Sequence, residues 1–419
     1  MATAPPLPPP TLPGRNLILC FDGTAGQYDG YASGPRPFTR LSNTNAVKLF
    51  ALLKKDDFRQ QLCYYQPGIG TYVNPSMVSP IFEWGAKVLD EAFAMCVRPE
   101  LHHSTRSPSD SYLNGHVMDG YRFLMDNYHS GDKICLFGFS RGSYTARALA
   151  GMLYKGNNQE QVPFAFKMYK DTSTTGVKMA AGYKQTFCQN VHVEFMGVWD
   201  TVDSVGVVMS RTLPFSANNS SIKILRHAVS LDEHRVRYLP YLCEPKPSST
   251  SLKAGAEDVL EVWFAGCHSD IGGGAVADGV ARSLSDITLR WMVRQAMASE
   301  CDIQFDNEAL ARAQISPTSS IEPSPSELSF DDTDSGEPLE DELSGASPWW
   351  LLEIIPMPWS VQDAQGVWHR KFGFHLGKGR VIPDAQPKFH HTVKERMANA
   401  ALKYTPKAQW TKGNEVYVE

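Results

Sequence analysis

The chain has 419 residues, of which 42% are hydrophobic, and its formal net charge is −5 at neutral pH. This length allows one large domain with insertions or two ordinary domains, and the apolar content is enough for a sizeable core. The acidic balance gives no basic stripe of the kind that a nucleic-acid-binding protein needs. Eight scattered cysteines form no C-x-x-C pair, which predicts reduced thiols in a cytoplasmic protein rather than a disulfide framework.

The start of the chain differs in composition from the remainder. Residues 1–14 are rich in proline and contain no apolar core, so we predict a flexible, disordered leader that is not a signal peptide. The sequence has no apolar run of about 18 residues, which predicts no transmembrane helix. Contact with lipid would then be transient and confined to the membrane surface. The oligomeric state stays open at this point.

Apolar runs alternate with helical patterns over most of the chain. The predicted strands cover residues 17–21, 62–65, 133–137, 191–199 and 259–265. The predicted helices cover residues 43–54, 82–97, 117–127, 143–153 and 284–298. This alternation is typical of a mainly parallel sheet with helices on both faces. We therefore predict an α/β domain over residues 15–314, with helical insertions between the strands.

The pattern changes after residue 314. Residues 315–346 are rich in serine, proline and acidic side chains, a composition that predicts a disordered insertion. This insertion is either a solvated loop without function or a regulatory or partner-binding segment. Apolar residues resume at Trp349 and Trp350. We expect the C-terminal segment, residues 347–419, to pack on the preceding domain.

The pentapeptide Gly138-Phe139-Ser140-Arg141-Gly142 fits the pattern G-x-S-x-G. In α/β-hydrolases this pattern forms a tight turn between a strand and a helix, with the serine exposed at the end of the sheet. Here an apolar strand candidate precedes the pattern and a helix candidate follows it. The context therefore predicts the α/β-hydrolase fold and Ser140 as a nucleophile.

A serine nucleophile needs a base to take its proton and an acid to orient that base. In α/β-hydrolases the three residues follow the chain order Ser, acid, His. Asp200 directly follows the predicted strand 191–199, and His268 follows the predicted strand 259–265. Because both come after strand ends, as Ser140 does, we predict the catalytic residues Ser140, Asp200 and His268.

Other assignments of these roles remain open. Asp200 could be a helix N-cap, with Asp203 as the acid instead. His268 could be an ordinary turn histidine, with His390 or His391 as the base.

Backbone amides near the nucleophile predict an oxyanion hole. One donor is the amide of Arg141, directly after the serine. The other comes from the turn after the first strand, at Gly23 or Thr24. Asp22 and Asp270 are candidates for contact with substrate or for a structural role. An alternative is that these two carboxylates bind a metal together, but the prediction is that the site uses neither metal nor cofactor.

Seven motifs together resemble one family. The chain is similar to the uncharacterised α/β-hydrolase family that contains the catalytic domain of type VI secretion phospholipase effectors, and it looks like a stand-alone member of the fungal type. The motifs are Leu19-Cys20-Phe21-Asp22-Gly23-Thr24, Asn43-Thr44-Asn45-Ala46-Val47, Tyr65-Gln66-Pro67-Gly68-Ile69-Gly70-Thr71, Gly138-Phe139-Ser140-Arg141-Gly142, Gly197-Val198-Trp199-Asp200-Thr201-Val202, His227-Ala228-Val229-Ser230-Leu231-Asp232-Glu233-His234-Arg235 and His268-Ser269-Asp270-Ile271-Gly272-Gly273-Gly274. The resemblance implies an α/β-hydrolase domain with a triad of Ser140, Asp200 and His268, and phospholipase activity in the effectors.

These observations predict a serine hydrolase of the esterase or lipase type. It would cleave carboxylic esters, with lipids and phospholipids among the candidate substrates, through an acyl-enzyme. Two alternatives remain. One is an acyltransferase or thioesterase of a small-molecule pathway, and the other is a hydrolase-fold protein that binds a ligand without catalysis.

Overall fold

The computed structural model describes residues 14–23, 42–68, 108–155, 162–187, 191–202, 220–243, 258–318, 320–345, 347 and 349–419. The predicted helix over 82–97 lies outside these residues, as do the leader up to residue 13 and the two site candidates Thr24 and Asp203.

Within the described residues, eight strands form one sheet whose strand pairs are all parallel. The strands are β1 (Asn16–Phe21), β2 (Gln61–Gln66), β3 (Lys133–Phe139), β4 (Val193–Trp199), β5 (Ile222–Ser230), β6 (Asp258–Phe264), β9 (Lys388–His390) and β10 (Val416–Val418), and their spatial order is β10-β9-β6-β5-β4-β3-β1-β2. Two further strands, β7 (Met357–Gln362) and β8 (Trp368–Gly373), form a separate antiparallel hairpin.

Helices cover both faces of this sheet. They are α1 (Asn45–Leu52), α2 (Pro108–Asn127), α3 (Arg141–Lys155), α4 (Val162–Lys170), α5 (Thr174–Phe187), α6 (His268–Gly272), α7 (Leu284–Ala298), α8 (Asn307–Arg312), α9 (Pro325–Asp334), α10 (Trp350–Glu353) and α11 (His391–Ala398). Successive side chains of a strand point to opposite faces. In β1, Leu17 and Leu19 pack with the helices α2 and α3, whereas Ile18 and Cys20 pack with α1 and α7. The predicted α/β class, a parallel sheet between helices, is confirmed.

The strand order places a topological switch between β1 and β3. The chain leaves β1 to form β2 on one side and then forms β3 on the other side of β1. In open parallel sheets, binding sites lie outside the carboxyl ends of the strands at such a reversal. Ser140 directly follows β3 at this position, and Asp200 follows β4.

The sequence-based description missed the strand β5. Residues 222–230 lie at the centre of the sheet, between β4 and β6, although Arg226 and His227 interrupt the apolar run. Both side chains are buried because each has a partner. The Arg226 guanidinium donates to Gln295 and Asp258, and His227 Nδ1 lies 2.6 Å from Glu261 Oε1.

The expectation of a disordered insertion over 315–346 is wrong for the described residues. Ser324 caps α9, and its side chain accepts a hydrogen bond from the Glu327 amide. Asp331 and Asp334 of this helix are buried and form salt bridges of 2.6 and 2.5 Å with Arg290 of α7. From composition alone, these carboxylates are expected to be solvated. In the fold they pair with a buried arginine.

The C-terminal segment does more than pack on the domain. Strand β9 pairs with β6, and β10 pairs with β9, so the segment extends the same sheet. Phe389 of β9 is completely buried in a cluster with Val229 and Trp263. The proposed boundary at residue 314 therefore does not separate two units.

Candidate active site

Ser140 lies in the tight turn between β3 and α3. Its φ angle of 57° is in the left-handed region, which is unusual for a non-glycine residue and tends to occur at functional sites. The glycines of the pentapeptide let the turn lie against β1. A Cβ atom at Gly142 would be 2.2 Å from the carbonyl oxygen of Phe21, and one at Gly138 would be 2.6 Å from that of Gly142.

The imidazole of His268 lies next to Ser140. Its Nε2 is 2.8 Å from the Ser140 Oγ, and the side chain is almost fully buried. Two aromatic rings hold the imidazole in place, because the ring centroids of Phe139 and Tyr238 lie 4.7 and 4.8 Å from its own.

Asp200 follows β4 and orients the same imidazole. Its Oδ2 is 2.6 Å from the His268 Nδ1, and the Ser230 amide donates to its Oδ1 at 3.0 Å. Like Ser140, Asp200 has a positive φ, of 38°. An ionised carboxylate can only accept, so His268 Nδ1 carries the proton and Nε2 of the neutral ring is left to accept from the serine hydroxyl.

Arg380 is a member of this cluster that the sequence analysis missed. Its Nη1 donates to the Asp200 Oδ1 at 2.6 Å and its Nη2 to the Oδ2 at 2.9 Å. Nη1 also donates to the Ser230 carbonyl at 3.0 Å, and Nη2 to that of Tyr238. Burial opposes ionisation of Asp200, but the Arg380 charge and the His268 hydrogen bond outweigh it and hold the Asp200 pKa well below its usual range. No local motif marks Arg380, which comes 180 residues after Asp200.

A second buried carboxylate supports the backbone of His268. Glu233 Oε2 accepts from the His268 amide at 3.3 Å and from Arg235 Nη2 at 2.8 Å. Burial raises the pKa of Glu233, but the adjacent Arg235 outweighs this effect and lowers the pKa to about 2. The motif His227–Arg235, which carried no predicted role, thus contributes a carboxylate that contacts the histidine.

The two described amides that were predicted as oxyanion donors, those of Arg141 and Gly23, have different surroundings in the structure. Arg141 is the first residue of α3, so its amide lies at the helix end beside Ser140. The Gly23 amide instead donates to the Asp22 Oδ1 at 2.7 Å. The expectation that Gly23 offers its amide to an oxyanion is therefore not met in this structure. Thr24 lies outside the described residues.

Asp22 and Asp270 are buried and already hydrogen-bonded. Asp22 accepts from the Tyr65 and Thr44 hydroxyls at 2.7 and 2.8 Å, and burial raises its pKa. Asp270 accepts from the Cys267 and Glu340 amides at 2.8 and 3.1 Å. Burial raises the pKa of Asp270 to about 7. Among the described residues, no cluster of three or more His, Cys, Asp or Glu side chains could hold a metal ion.

The rival bases have other contacts. His390 is completely buried, stacks on Phe264 with centroids 4.7 Å apart, and places its Nδ1 2.8 Å from the Thr392 hydroxyl. Burial lowers the His390 pKa well below its usual value. His391 lies at ion-pair distance, 3.0 Å, from Glu419.

The described helices include none that is both long and apolar enough to cross a membrane.

Comparison with known proteins gives one family and several distant relatives. The model of the family described as "T6SS, Phospholipase effector Tle1-like, catalytic domain" matches residues 15–295. The uncharacterized protein YEL023C of Saccharomyces cerevisiae is 25% identical over 554 aligned positions, which cover 88% of this chain and 77% of the yeast protein.

Two solved structures are also similar, each at 19% identity. One is an uncharacterized protein from Pseudomonas aeruginosa, with a TM-score of 0.39 and coverage of 81% of this chain and 52% of that one. The other is the Tle1 effector bound to the VgrG spike of the type 6 secretion system, with a TM-score of 0.33 and coverage of 64% and 53%. The chain thus spans about half the length of these two.

Proposed function

We propose that this chain, which belongs to the family of Tle1-like phospholipase effector catalytic domains, is a serine hydrolase that cleaves carboxylic ester bonds of lipids. The observation that carries the proposal is the hydrogen-bonded series Ser140–His268–Asp200, with distances of 2.8 and 2.6 Å. Nucleophile, base and orienting acid are the three parts that acyl transfer by a serine requires.

The proposed reaction has two halves. The Ser140 Oγ attacks the ester carbonyl while His268 Nε2 takes the hydroxyl proton, and the Asp200 carboxylate stabilises the resulting imidazolium. The Arg141 amide donates to the oxyanion of the tetrahedral intermediate. Collapse of the intermediate breaks the ester C–O bond, and His268 returns the proton to the leaving alcohol.

Water then completes the turnover. His268 takes a proton from a water molecule, whose oxygen attacks the acyl-enzyme carbonyl. The second tetrahedral intermediate then breaks its bond to the Ser140 Oγ and releases the carboxylic acid, and His268 returns its proton to the Ser140 Oγ. The protein needs no cofactor for this sequence. The described cysteines, which are free thiols, support the proposal that the enzyme works in the cytoplasm.

An active-site probe tests the nucleophile directly. A fluorophosphonate should label the wild-type protein and leave Ser140→Ala unlabelled. The exposed Ser329 of α9 offers a matched control, because Ser329→Ala should be labelled like the wild type. Equal labelling of Ser140→Ala and the wild type would exclude Ser140 as the nucleophile.

A substrate panel tests the reaction class. Phosphatidylcholine, a triacylglycerol and short-chain p-nitrophenyl esters should be hydrolysed by the wild type, and His268→Ala should lower turnover by about 10³-fold or more. If His391→Ala alone has this effect, the assignment of the base is wrong.

A further inference from the structure

Six of the large apolar side chains that are exposed on the described C-terminal segment lie in two of its stretches. In the loop after β8 and at its end, Phe372, Phe374 and Leu376 are 74%, 53% and 53% exposed. On and just after α10, Leu351, Ile354 and Ile355 are 60%, 53% and 42% exposed. We call these six residues the apolar platform. Single exposed apolar residues are ordinary, but a concentration in two adjoining segments marks an interaction surface.

A buried polar bridge joins the two segments and turns the apolar side chains outward. Glu353 of α10 is almost fully buried. Its Oε2 lies 2.7 Å from His375 Nδ1 and accepts from the Gly377 amide at 2.9 Å, while its carbonyl accepts from the Leu376 amide. The polar residues thus occupy the inside positions, and Leu376 is held with a left-handed φ of 58°. The exposed side chains therefore belong to a backbone that hydrogen bonds hold in place, and not to a frayed chain end.

The same bridge connects the platform to the candidate active site. Glu353 Oε1 accepts from the Val236 amide at 2.6 Å, in the short 3₁₀ helix Val236–Tyr238. The Tyr238 ring contacts His268, and Trp349, directly before α10, lies 5.7 Å from the Tyr238 ring. The platform therefore lies beside the residues that surround the Ser140 nucleophile.

The segment that carries Phe372, Phe374 and Leu376 is basic in sequence. Residues 364–383 contain four Lys or Arg and no Asp or Glu, in a chain whose net charge is −5. Of these cations, Arg370, Lys371 and Lys378 are exposed. A second copy of the chain would bring the same cations face to face in a two-fold contact. An anionic lipid surface instead complements both the charge and the apolar side chains.

We propose that the apolar platform docks the enzyme on the surface of a bilayer that contains anionic phospholipids. The aromatic and aliphatic side chains enter the headgroup region, and Lys371 and Lys378 contact lipid phosphates. This inference rests on the proposed function, since docking there brings Ser140 to its lipid substrate.

Flotation with vesicles tests the docking separately from catalysis. The protein used is Ser140→Ala, which keeps the platform but cannot turn over lipid. It should float with vesicles of equal parts phosphatidylcholine and phosphatidylserine and bind phosphatidylcholine vesicles less. The double variant Phe372→Ser/Phe374→Ser should bind at least about tenfold more weakly. The matched control is Phe58→Ser, at a residue 66% exposed elsewhere, which should bind normally.

A charge reversal tests the electrostatic part. Lys371→Glu/Lys378→Glu should weaken binding to the phosphatidylserine vesicles, and added salt should weaken wild-type binding. The exposed Lys178 offers the control, because Lys178→Glu should bind normally. Hydrolysis of a soluble p-nitrophenyl ester by Phe372→Ser/Phe374→Ser, with Ser140 intact, should equal that of the wild type, while its hydrolysis of vesicle lipid should fall.

Three results would overturn the inference. They are absence of vesicle binding by Ser140→Ala, equal binding by the Phe372→Ser/Phe374→Ser variant, and a dimer in solution that this variant dissociates. Failure of the proposed function has a different signature, since vesicle binding would persist while no ester was hydrolysed.

Discussion

Asp200 is a carboxylate without solvent exposure whose two oxygens are shared between His268 and Arg380. Its low pKa keeps it ionised, which fixes the tautomer of the imidazole. The guanidinium provides the permanent counter-charge, so the carboxylate stays stable in the interior while His268 is neutral. At the scale of single residues, Arg380 is therefore a positioning residue for the candidate triad.

Replacing Arg380 with methionine should affect stability and activity together. Removing one partner of a buried ion pair costs about 3–5 kcal/mol, so the melting temperature should drop. The kcat for a soluble ester should fall by about 10- to 100-fold through misplacement of Asp200 and His268, with KM little changed. Without the Arg380 charge, less opposes the effect of burial, so the Asp200 pKa should rise and the acid limb of the kcat/KM profile should move to higher pH.

Arg226 offers a matched control for this variant. It is another buried arginine, and it pairs with Asp258 and Gln295. Arg226→Met should lower the melting temperature but leave kcat and the pH profile unchanged. If Arg380→Met also leaves both unchanged, Arg380 has a structural role alone.

Asp270 should give the protein a characteristic pH dependence of stability. Its folded pKa is about 7, above the unfolded value of about 3.9. The folded state therefore binds the proton more tightly, so the contribution to stability is complete below about pH 4 and is lost as the pH rises through about 7. Relative to Asp270→Asn, the wild-type melting temperature should decrease between about pH 5 and about pH 8, a range that includes most of this loss. A constant difference would contradict this.

At the scale of elements, the turn from β3 to α3 combines a strained residue with close backbone packing. Ser140 has a positive φ, and the following helix begins against the end of β1. The packing leaves no space for a side chain at Gly142. The pentapeptide is therefore required by the geometry of the turn as well as by chemistry.

Gly142→Ala should disrupt this turn. The new methyl group would lie 2.2 Å from one backbone oxygen and 2.5 Å from another, so the turn must shift and both stability and labelling by a fluorophosphonate should fall. Gly115 of α2 is the matched control, because a Cβ there meets nothing within 4 Å. Gly115→Ala should stabilise the protein by about 0.5–1 kcal/mol, measured by urea denaturation. The contrary outcome is normal labelling of Gly142→Ala.

The helix α9 is attached to α7 by buried ion pairs. Asp331→Ala should leave Arg290 without its partner at 2.6 Å and Arg294 without its partner at 3.6 Å, at a cost of about 3–5 kcal/mol. The neighbouring Asp332, whose side chain is 58% exposed, is the control, and Asp332→Ala should change stability by less than about 0.5 kcal/mol. Thermal unfolding measures both. Equal effects of the two substitutions would restore the view of this segment as a solvated loop.

At the scale of the whole molecule, the sheet and the candidate site both depend on the C-terminal segment. It provides β9 and β10, which extend the sheet beyond β6, and Arg380, which contacts Asp200. The family match ends at residue 295, yet the structural unit continues to the end of the described chain.

A chain that stops at residue 346 should therefore not fold into an active protein. It exposes the edge of β6 and the apolar residues around Trp263, and Asp200 loses its cationic partner. The expected result is aggregation or a non-cooperative melt, together with loss of ester turnover. A cooperative melt with normal turnover would show that the segment is dispensable.

The sequence by itself determined the elements and the chemistry that depend on local patterns. The strands β1 and β3, the helix α7 and the G-x-S-x-G turn are readable because apolar periodicity and glycine placement act over a few residues. Asp200 and His268 were found because each follows a strand, and parallel strands bring their carboxyl ends together. Their catalytic roles remain a prediction until the variants are measured.

Only the tertiary structure decided which charges are buried in pairs. The sequence does not show that Arg380 pairs with Asp200, that Arg290 pairs with Asp331, or that Arg226 lies inside β5. Burial of a charge depends on a partner far along the chain. The sequence also did not predict the apolar platform. The alternating pattern of Phe372, Phe374 and Leu376 does not say whether those side chains face a core or the solvent. The pairing of these charged side chains is a property of the folded chain, because none of them stands in a local pattern that names its partner.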